Sequence, residues 1–309
     1  MKILHYMNKE DSGLGRTTLE LAKYEELAGH VATIREPTGG GLIYGRGNEY
    51  DVSCVHHQMD PHKYHDGKPR FLWCHGEPLS SVGNGISMKA MVEMAPMCSA
   101  FIAMRKEEIP IWKALKNETY LVTKGIDLDV YKPLPGITER LSGEPAVLYY
   151  ENWRGNRNPL YWCVAMQEVH KKYPNARLHL YNLTEKRMHE TFTALHVHCH
   201  WWPFLRTISG ASDDINLLLN RVDIVISGLH PLYARSIEAF GANKAFISPG
   251  YHEFEYPWTC DYEVQSMADS IIKCWENYDK VNYRKWAEDH HNVKDTVSQS
   301  IDIYKRFLQ

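Results

Sequence analysis

Val222-Asp-Ile-Val-Ile-Ser-Gly-Leu-His-Pro-Leu-Tyr-Ala-Arg-Ser-Ile-Glu-Ala-Phe-Gly-Ala-Asn-Lys-Ala-Phe-Ile-Ser-Pro-Gly250 carries the pattern that decides the fold. Its apolar runs, Val222–Ile226 and Ala245–Ile247, are short and rich in β-branched residues, as in strands covered on both faces. Between them the polar loop Ser227–Tyr233 opens a short helix carrying Glu238, and a Gly turn leads to the second strand. Open α/β sheets place ligands at the carboxyl ends of their strands. The first turn of the helix offers backbone N–H groups and a partial positive charge, which suit a phosphate. Glu238, farther along, is placed to accept hydrogen bonds from a sugar hydroxyl beside that phosphate. The stretch predicts a nucleotide site.

The same alternation extends outward. Met1–Met7 reads as a first strand, Asn8–Gly15 as a Gly-containing loop, and Arg16–Ala28 as a helix with Leu19, Leu21, Ala22 and Leu27 at helical spacing. Gly29 is its expected stop, and His30–Arg35 a second strand. Such a βαβ unit implies a parallel sheet. Further strands are expected at Asp51–His56, Arg70–His75, Ala100–Met104 and Thr119–Thr123. The Pro- and Gly-containing stretch Tyr131–Pro145 reads as a linker.

After it the pattern restarts. Strands are expected at Ala146–Tyr150, Arg177–Tyr181 and His196–Cys199, and helices at Asn158–Tyr173, Asp213–Asn220, Ser266–Tyr278 and Tyr283–Leu308. Two successive wraps predict an α/β protein of two Rossmann-like lobes facing across a cleft. The expected division is 1–135, 145–282 and a closing helix, 283–309, that packs back on the first lobe.

A chain of 309 residues is long enough for two ordinary domains. A formal charge of −3 supplies no global attraction to nucleic acid or to an anionic membrane, though it leaves room for a local basic groove. The seven cysteines form no C-x-x-C pair, which fits a reduced, cytoplasmic protein better than a disulfide framework. No apolar run approaches transmembrane length, and the first residues read as a strand rather than a signal peptide. A cytoplasmic location with no stable membrane insertion is the expectation.

Several loops carry chemistry. Gly13 and Gly15 follow the first strand and let backbone come close to a ligand, though many α/β folds need such a turn for itself. Arg154 and Arg157 follow the first strand of the second half, where guanidinium groups clamp a diphosphate or simply face solvent. His75 ends an apolar strand and either meets a sugar hydroxyl or phosphate, or only caps the strand. His56 and His57 end the preceding strand and rank below it. His196, His198 and His200 alternate along an expected strand and would share one face. Without a second ligand cluster, a structural strand is preferred there to a metal site. The run Arg105–Lys116 mixes cations with Ile109, Ile111, Trp112 and Leu115. It reads as a surface helix rather than as a membrane or polyanion contact.

Taken in order, these segments resemble the retaining glycosyltransferases of the GT-B fold, close to family four (glycosyl transferases group 1). The resemblance rests on Ser12-Gly-Leu-Gly-Arg16, on His75-Gly76, on Lys124-Gly-Ile-Asp-Leu-Asp-Val-Tyr-Lys-Pro133, on the basic loop at Arg154–Arg157, and on the Glu238 segment. It implies a nucleotide-sugar-binding second lobe and an acceptor-side first lobe. It further implies transfer of a hexosyl or pentosyl group from a nucleoside-diphosphate sugar to an acceptor hydroxyl, with retained configuration. Glu238 would hold the ribose hydroxyls, backbone at Ser236 and Ile237 the diphosphate, and Arg157 a phosphate. His75 would lie near the donor sugar, Gly13 and Gly15 beneath it, and Arg154, His230 and Arg235 would complete the donor set. No metal or other cofactor is required if arginines supply the charge.

Two departures stand out. His230 replaces the first of the family's paired glutamates, and Glu151-Asn152 stands where the family has Gly-Arg. They keep open a catalytically inactive sugar-nucleotide or glycan-binding protein, beside a nucleotide-sugar epimerase of the same fold. A dehydrogenase ranks lower, since neither lobe carries a full dinucleotide fingerprint. Glycan, lipid, protein, small molecule and modified DNA base all remain open as acceptors.

Overall fold

The structure is a computed structural model that describes residues 1–7, 13–35, 42–44, 49–56, 67–75, 92–151, 159–186, 188, 190, 202–208, 214–228, 233–249 and 258–309. These form two compact units, Met1–Asp127 with His290–Gln309, and Leu128–Asp289.

In the first unit, β1 (Lys2–Tyr6) leads to α1 (Gly13–Leu27), β2 (Val31–Arg35) and β3 (Leu42–Tyr44). β4 (Val52–His56), β5 (Arg70–Cys74), β6 (Ala100–Ala103), α2 (Ile109–Leu115) and β7 (Thr119–Leu121) follow. The sheet order is β3-β2-β1-β4-β5-β6-β7, parallel except for β3, which runs antiparallel to β2. Alternation along the strands builds a core on each face. Ile3, Val52, Phe71, Trp73 and Ile102 point one way and Leu4, Val55, Leu72 and Phe101 the other. Each such buried side chain contributes about 1.5–3 kcal/mol. Helix α1 supplies Leu21 and Tyr24 to the first of these cores. It ends where expected, at Gly29 with φ 83°, a left-handed position that glycine takes without strain. The run Arg105–Lys116 includes α2, which buries Trp112 against Phe101, as a helix packed on its own sheet should.

In the second unit, β8 (Ala146–Tyr149), α3 (Leu160–Lys172), β9 (Arg177–Tyr181), β10 (Leu205–Ile208), α4 (Ile215–Asn220) and β11 (Ile224–Ile226) come first. α5 (Tyr233–Gly241), β12 (Ala245–Pro249), β13 (Thr259–Cys260), α6 (Val264–Glu276) and α7 (Tyr283–His290) complete it. Its sheet is wholly parallel, in the order β10-β9-β8-β11-β12-β13. The order reverses between β8 and β11, the topological switch point at which such sheets bind ligands. The turn before β12 is made by Asn243 at φ 58° rather than by the glycine, Gly241, which ends the helix. Asparagine tolerates that conformation, and here its side chain also accepts the Arg284 N–H at 3.0 Å.

The stretch read as a linker is packed onto this second unit. Asn216 Oδ1 accepts the Lys132 N–H, Asn220 Oδ1 accepts the Leu134 N–H, and Leu141 N–H donates to Arg221 O. Arg140 pairs with Asp223, and the His179 ring bonds Ser142 O. Proline and glycine there mark turns rather than slack. The last helix also differs from expectation. Residues 283–308 form two helices, α7 and α8 (Val293–Arg306), because Asn292 is extended (φ −78°, ψ 127°) and caps α8 through the Lys294 N–H. Asn292 also makes a parallel bridge to Ile126. Residues His290–Gln309 thereby belong to the first unit, with α8 against α1. The expected strand at 196–199, with its three histidines, lies outside the described residues.

His291, at this crossing, donates from Nδ1 to Lys124 O at 2.7 Å. Burial lowers its pKa to about 4. Above pH 6.5 the residue is neutral folded or unfolded. Below that, the unfolded chain takes a proton that the native state refuses until about pH 4, so stability falls as pH falls through this window. The expected loss is on the order of 3 kcal/mol by pH 4. His291→Asn, which keeps an N–H donor without the titration, should flatten this acid limb in urea unfolding. An equally steep limb in the variant would assign the pH dependence elsewhere.

No disulfide joins the described cysteines, and burial pushes up the thiols of Cys54, Cys74 and Cys274, of Cys98 to about 11 and of Cys260 to about 12. Among the described residues, no helix is long and apolar enough to cross a membrane.

Candidate active site

Strand β8 runs on into the buried Tyr150 and Glu151, and β11 into the buried Ser227 and Gly228. The end of β11 is held in place. Trp162 of α3 donates its indole N–H to Ser227 O, and the Ser227 hydroxyl bonds that of Ser248 at 2.9 Å. Helix α5 then rises from this edge. Ile237, Ala239 and Phe240 face the core, so Arg235 and Glu238, three apart, share the partly exposed side.

Around these two side chains the structure assembles a cage of tyrosines. The Arg235 guanidinium lies 3.8 Å from the centre of the Tyr150 ring and 5.9 Å from that of Tyr181. Burial opposes the Arg235 charge, but Tyr150, Glu238, Tyr181 and Glu151 together hold it on the protonated side. Burial pushes the Tyr150 hydroxyl well above its ordinary range, with the Glu238 charge adding to the effect. Glu238 Oε1 accepts the Tyr131 hydroxyl at 3.3 Å, while Oε2 is buried and has no hydrogen-bond partner among the described residues. A buried acceptor left unpaired costs about 1–3 kcal/mol.

Ser236 and Ile237 are the fourth and fifth residues of α5, at the limit of the turn whose N–H groups lack intrahelical acceptors. Arg154, Arg157 and His230 lie outside the described residues. The tyrosines were not singled out in the sequence. Tyr131 belongs to the Lys124–Pro133 signature and Tyr150 ends an apolar strand, and those were the available signals.

In the first unit, α1 begins at Gly13, three residues before the start expected at Arg16. Gly13 and Gly15 therefore belong to its first turn. The corresponding switch of sheet order falls between β1 and β4. His56 ends β4, and the partly exposed His75 follows β5, its Nε2 at 2.9 Å from His56 Nδ1. Beneath them lies His5, hydrogen-bonded to Glu25. His5 and Glu25 were also missed. Their signal was a polar side chain inside the apolar strand Lys2–Tyr6 and a carboxylate one helical turn beyond Leu21. Among the described residues no group of histidine, cysteine, aspartate or glutamate side chains could hold a metal ion.

No protein-family model matches the sequence, and no curated protein matches it. Solved structures do resemble the fold. A glycosyltransferase from Rickettsia africae ESF-5 aligns with a TM-score of 0.75 at 15% identity, over 100% of this chain and 98% of that one. Anabaena Alr3699/HepE in complex with UDP and glucose aligns with a TM-score of 0.70 at 14% identity, over 99% and 100%. An alpha-glucosyltransferase in complex with UDP and a 13-mer DNA containing a HMU base aligns with a TM-score of 0.63 at 10% identity, over 99% of each chain. The chain has the GT-B fold of the glycosyltransferases. At these identities the likeness is one of fold.

Proposed function

We propose that this chain is a glycosyltransferase that moves a sugar from a nucleoside-diphosphate donor to an acceptor hydroxyl with retention of configuration. The observation that carries the reading is Glu238. It sits on the helix that leaves the switch point of a parallel sheet, with one oxygen held by Tyr131 and the other buried and unpaired. A ribose hydroxyl would satisfy that oxygen. HepE is described with UDP and glucose, and the alpha-glucosyltransferase with UDP, so a UDP-sugar is the first donor to try.

As the glycosidic bond breaks, negative charge grows on the diphosphate and positive charge on the sugar. Arg154 and Arg157 would stabilise the leaving group together with N–H groups at the start of α5, by preorganised electrostatics. No metal is needed for that step if the arginines serve. His75 would contact the donor sugar. The leaving phosphate or a protein base takes the acceptor proton.

A panel of nucleoside-diphosphate sugars tested by thermal shift addresses the reading directly. A donor at a hundred times its Kd stabilises by about 2.7 kcal/mol. Absence of a shift with every donor would reject a nucleotide-sugar site. Glu238→Gln should weaken donor binding about tenfold, the worth of a charge-assisted hydrogen bond, and unchanged binding would remove Glu238 from the site. NMR of the product reads its anomeric configuration, and turnover of the donor without acceptor would mark an epimerase instead. The presence of His230 in place of a glutamate favours a second reading, binding without turnover. Restoration of transfer by His230→Glu would establish it.

A further inference from the structure

A continuous hydrogen-bonded chain runs through the first unit. Glu25 Oε2 lies 2.7 Å from His5 Nε2, His5 Nδ1 lies 2.9 Å from His56 Nε2, and His56 Nδ1 lies 2.9 Å from His75 Nε2. Glu25 and His5 are fully buried and His56 is 2% exposed, whereas His75 is partly exposed. The chain steps across adjacent elements, from α1 to β1, to β4, and to the residue after β5. The Trp73 ring stacks on His56 and His75, at 5.6 and 6.3 Å between ring centres, and limits their rotation. Two imidazoles, each bonded through both ring nitrogens, join one carboxylate to a third imidazole, which is far more order than a packed core requires.

We infer that Glu25, His5 and His56 form a proton relay that positions His75 and lets it act as a base toward a substrate hydroxyl. The assignment of a hydroxyl as its target rests on the glycosyltransferase reading. The relay itself rests on the geometry alone.

The polarity of the chain follows from its inner end. An ionised carboxylate only accepts hydrogen bonds, so His5 must donate from Nε2 and present a lone pair at Nδ1. His56 then donates from Nε2 to His5, and His75 from Nε2 to His56, which leaves the basic lone pair of His75 on Nδ1. When Nδ1 takes a hydroxyl proton, the O–H bond breaks as the N–H bond forms. The Nε2 proton of His75 passes to His56 Nδ1, that of His56 to His5 Nδ1, and that of His5 to Glu25 Oε2. One proton enters and no heavy atom moves. All three rings end as neutral Nδ1–H tautomers and the carboxyl as a neutral acid. The hydroxyl oxygen attacks the sugar carbon from the face that the diphosphate leaves, as retention requires, the bond to the diphosphate breaks, and the diphosphate departs with its electron pair. Return along the same path then passes the proton from His75 Nδ1 to the departing diphosphate or to water, which restores the starting tautomers. The transfer to Glu25 keeps every ring of the chain neutral. It also avoids an imidazolium beside the developing positive charge of the sugar.

Among the described residues, Cys54 of β4, Tyr304 of α8 and His30 before β2 are the other titratable groups that interact with the Glu25 charge. Burial pushes the Cys54 thiol and Tyr304 hydroxyl up and the His30 ring down, so all three are neutral near pH 7. They leave Glu25 as the group that sets the direction of the chain.

The test is ring-nitrogen NMR on histidine-labelled protein, with Glu25→Gln as the variant. In the unaltered protein at neutral pH, His5, His56 and His75 should all be Nε2–H tautomers. An Nδ1–H tautomer at His5 or His56 would overturn the relay without any variant. In Glu25→Gln, whose amide both donates and accepts, the His75 tautomer should become mixed and its titration should move to lower pH. An unchanged His75 signal in a folded variant would overturn the proposal. In transfer assays, Glu25→Gln should lower kcat about a hundredfold, the usual size of a general-base contribution. The donor KM should be unchanged and the acidic limb of the pH–rate profile, where a base is lost to protonation, should move to lower pH. A fall in stability with an unaltered pH profile would mark a structural role only. If the unaltered protein transfers no sugar, the enzymatic reading fails, while the tautomer measurement still decides the relay.

Discussion

Gly125→Ala is expected to destabilise the first unit by about 3 kcal/mol, the upper end of the cost of overpacking. A Cβ at residue 125 would stand 2.4 Å from Val293 N, 2.5 Å from Asn292 C and 2.6 Å from Asn292 O. All three are backbone atoms, so no rotamer change relieves the clash. The strand-like bridge beside it cannot yield either. Ile126 donates to His291 O at 3.0 Å and accepts from Val293 N at 3.1 Å, and the Asn292 cap of α8 follows at once. The substitution should lower the urea midpoint and release α8 from α1, read as faster amide exchange across Val293–Arg306. An unchanged midpoint would mean that the return segment does not rest on residue 125. The glycine of the Lys124–Pro133 signature thus has a packing reason for its identity.

Arg157→Ala should lower turnover about a hundredfold or more, as does removal of one preorganised donor to developing negative charge. The charge that Arg157 would stabilise grows as the diphosphate leaves, so the loss should fall on kcat more than on donor KM. Arg157→Lys should recover only part of it, because an ammonium supplies a point charge without the paired N–H geometry of guanidinium. Circular dichroism and the urea midpoint should be unaffected. An unaltered rate in a transfer assay would remove Arg157 from the site and leave Arg154 and the start of α5 to hold the diphosphate.

The readings from sequence succeeded where one residue's environment is set by its near neighbours. The alternation of Ile3 and Leu4, or of Phe71, Leu72 and Trp73, follows from the pleat of a strand, and Gly29 from the need for a left-handed helix stop. The short edge strands β3, β10 and β13 went unread because two to four residues are too few to show a period, and their pairing partners define them. The single helix expected over 283–308 broke at Asn292. Nothing in the local pattern announces that a bridge to Ile126 will claim the backbone there. The stretch 131–145 was read as a linker for the same reason. Its turns are visible in the residues, but the asparagines that hold them lie in α4.

The amino-acid order alone determined that this is an α/β protein of two successive wraps, and it singled out Glu238, Arg235 and His75. Strand periodicity and the chemistry of loops at strand ends are local properties, and the chain writes them out in sequence. Only the tertiary structure decided which polar groups meet. It set Tyr131 on Glu238, laid Arg235 over Tyr150, and drew Glu25, His5 and His56 into line behind His75. Those partners come from separate helices and strands. Their distances depend on sheet order and register, which hydrogen bonds between distant segments establish and no local pattern records.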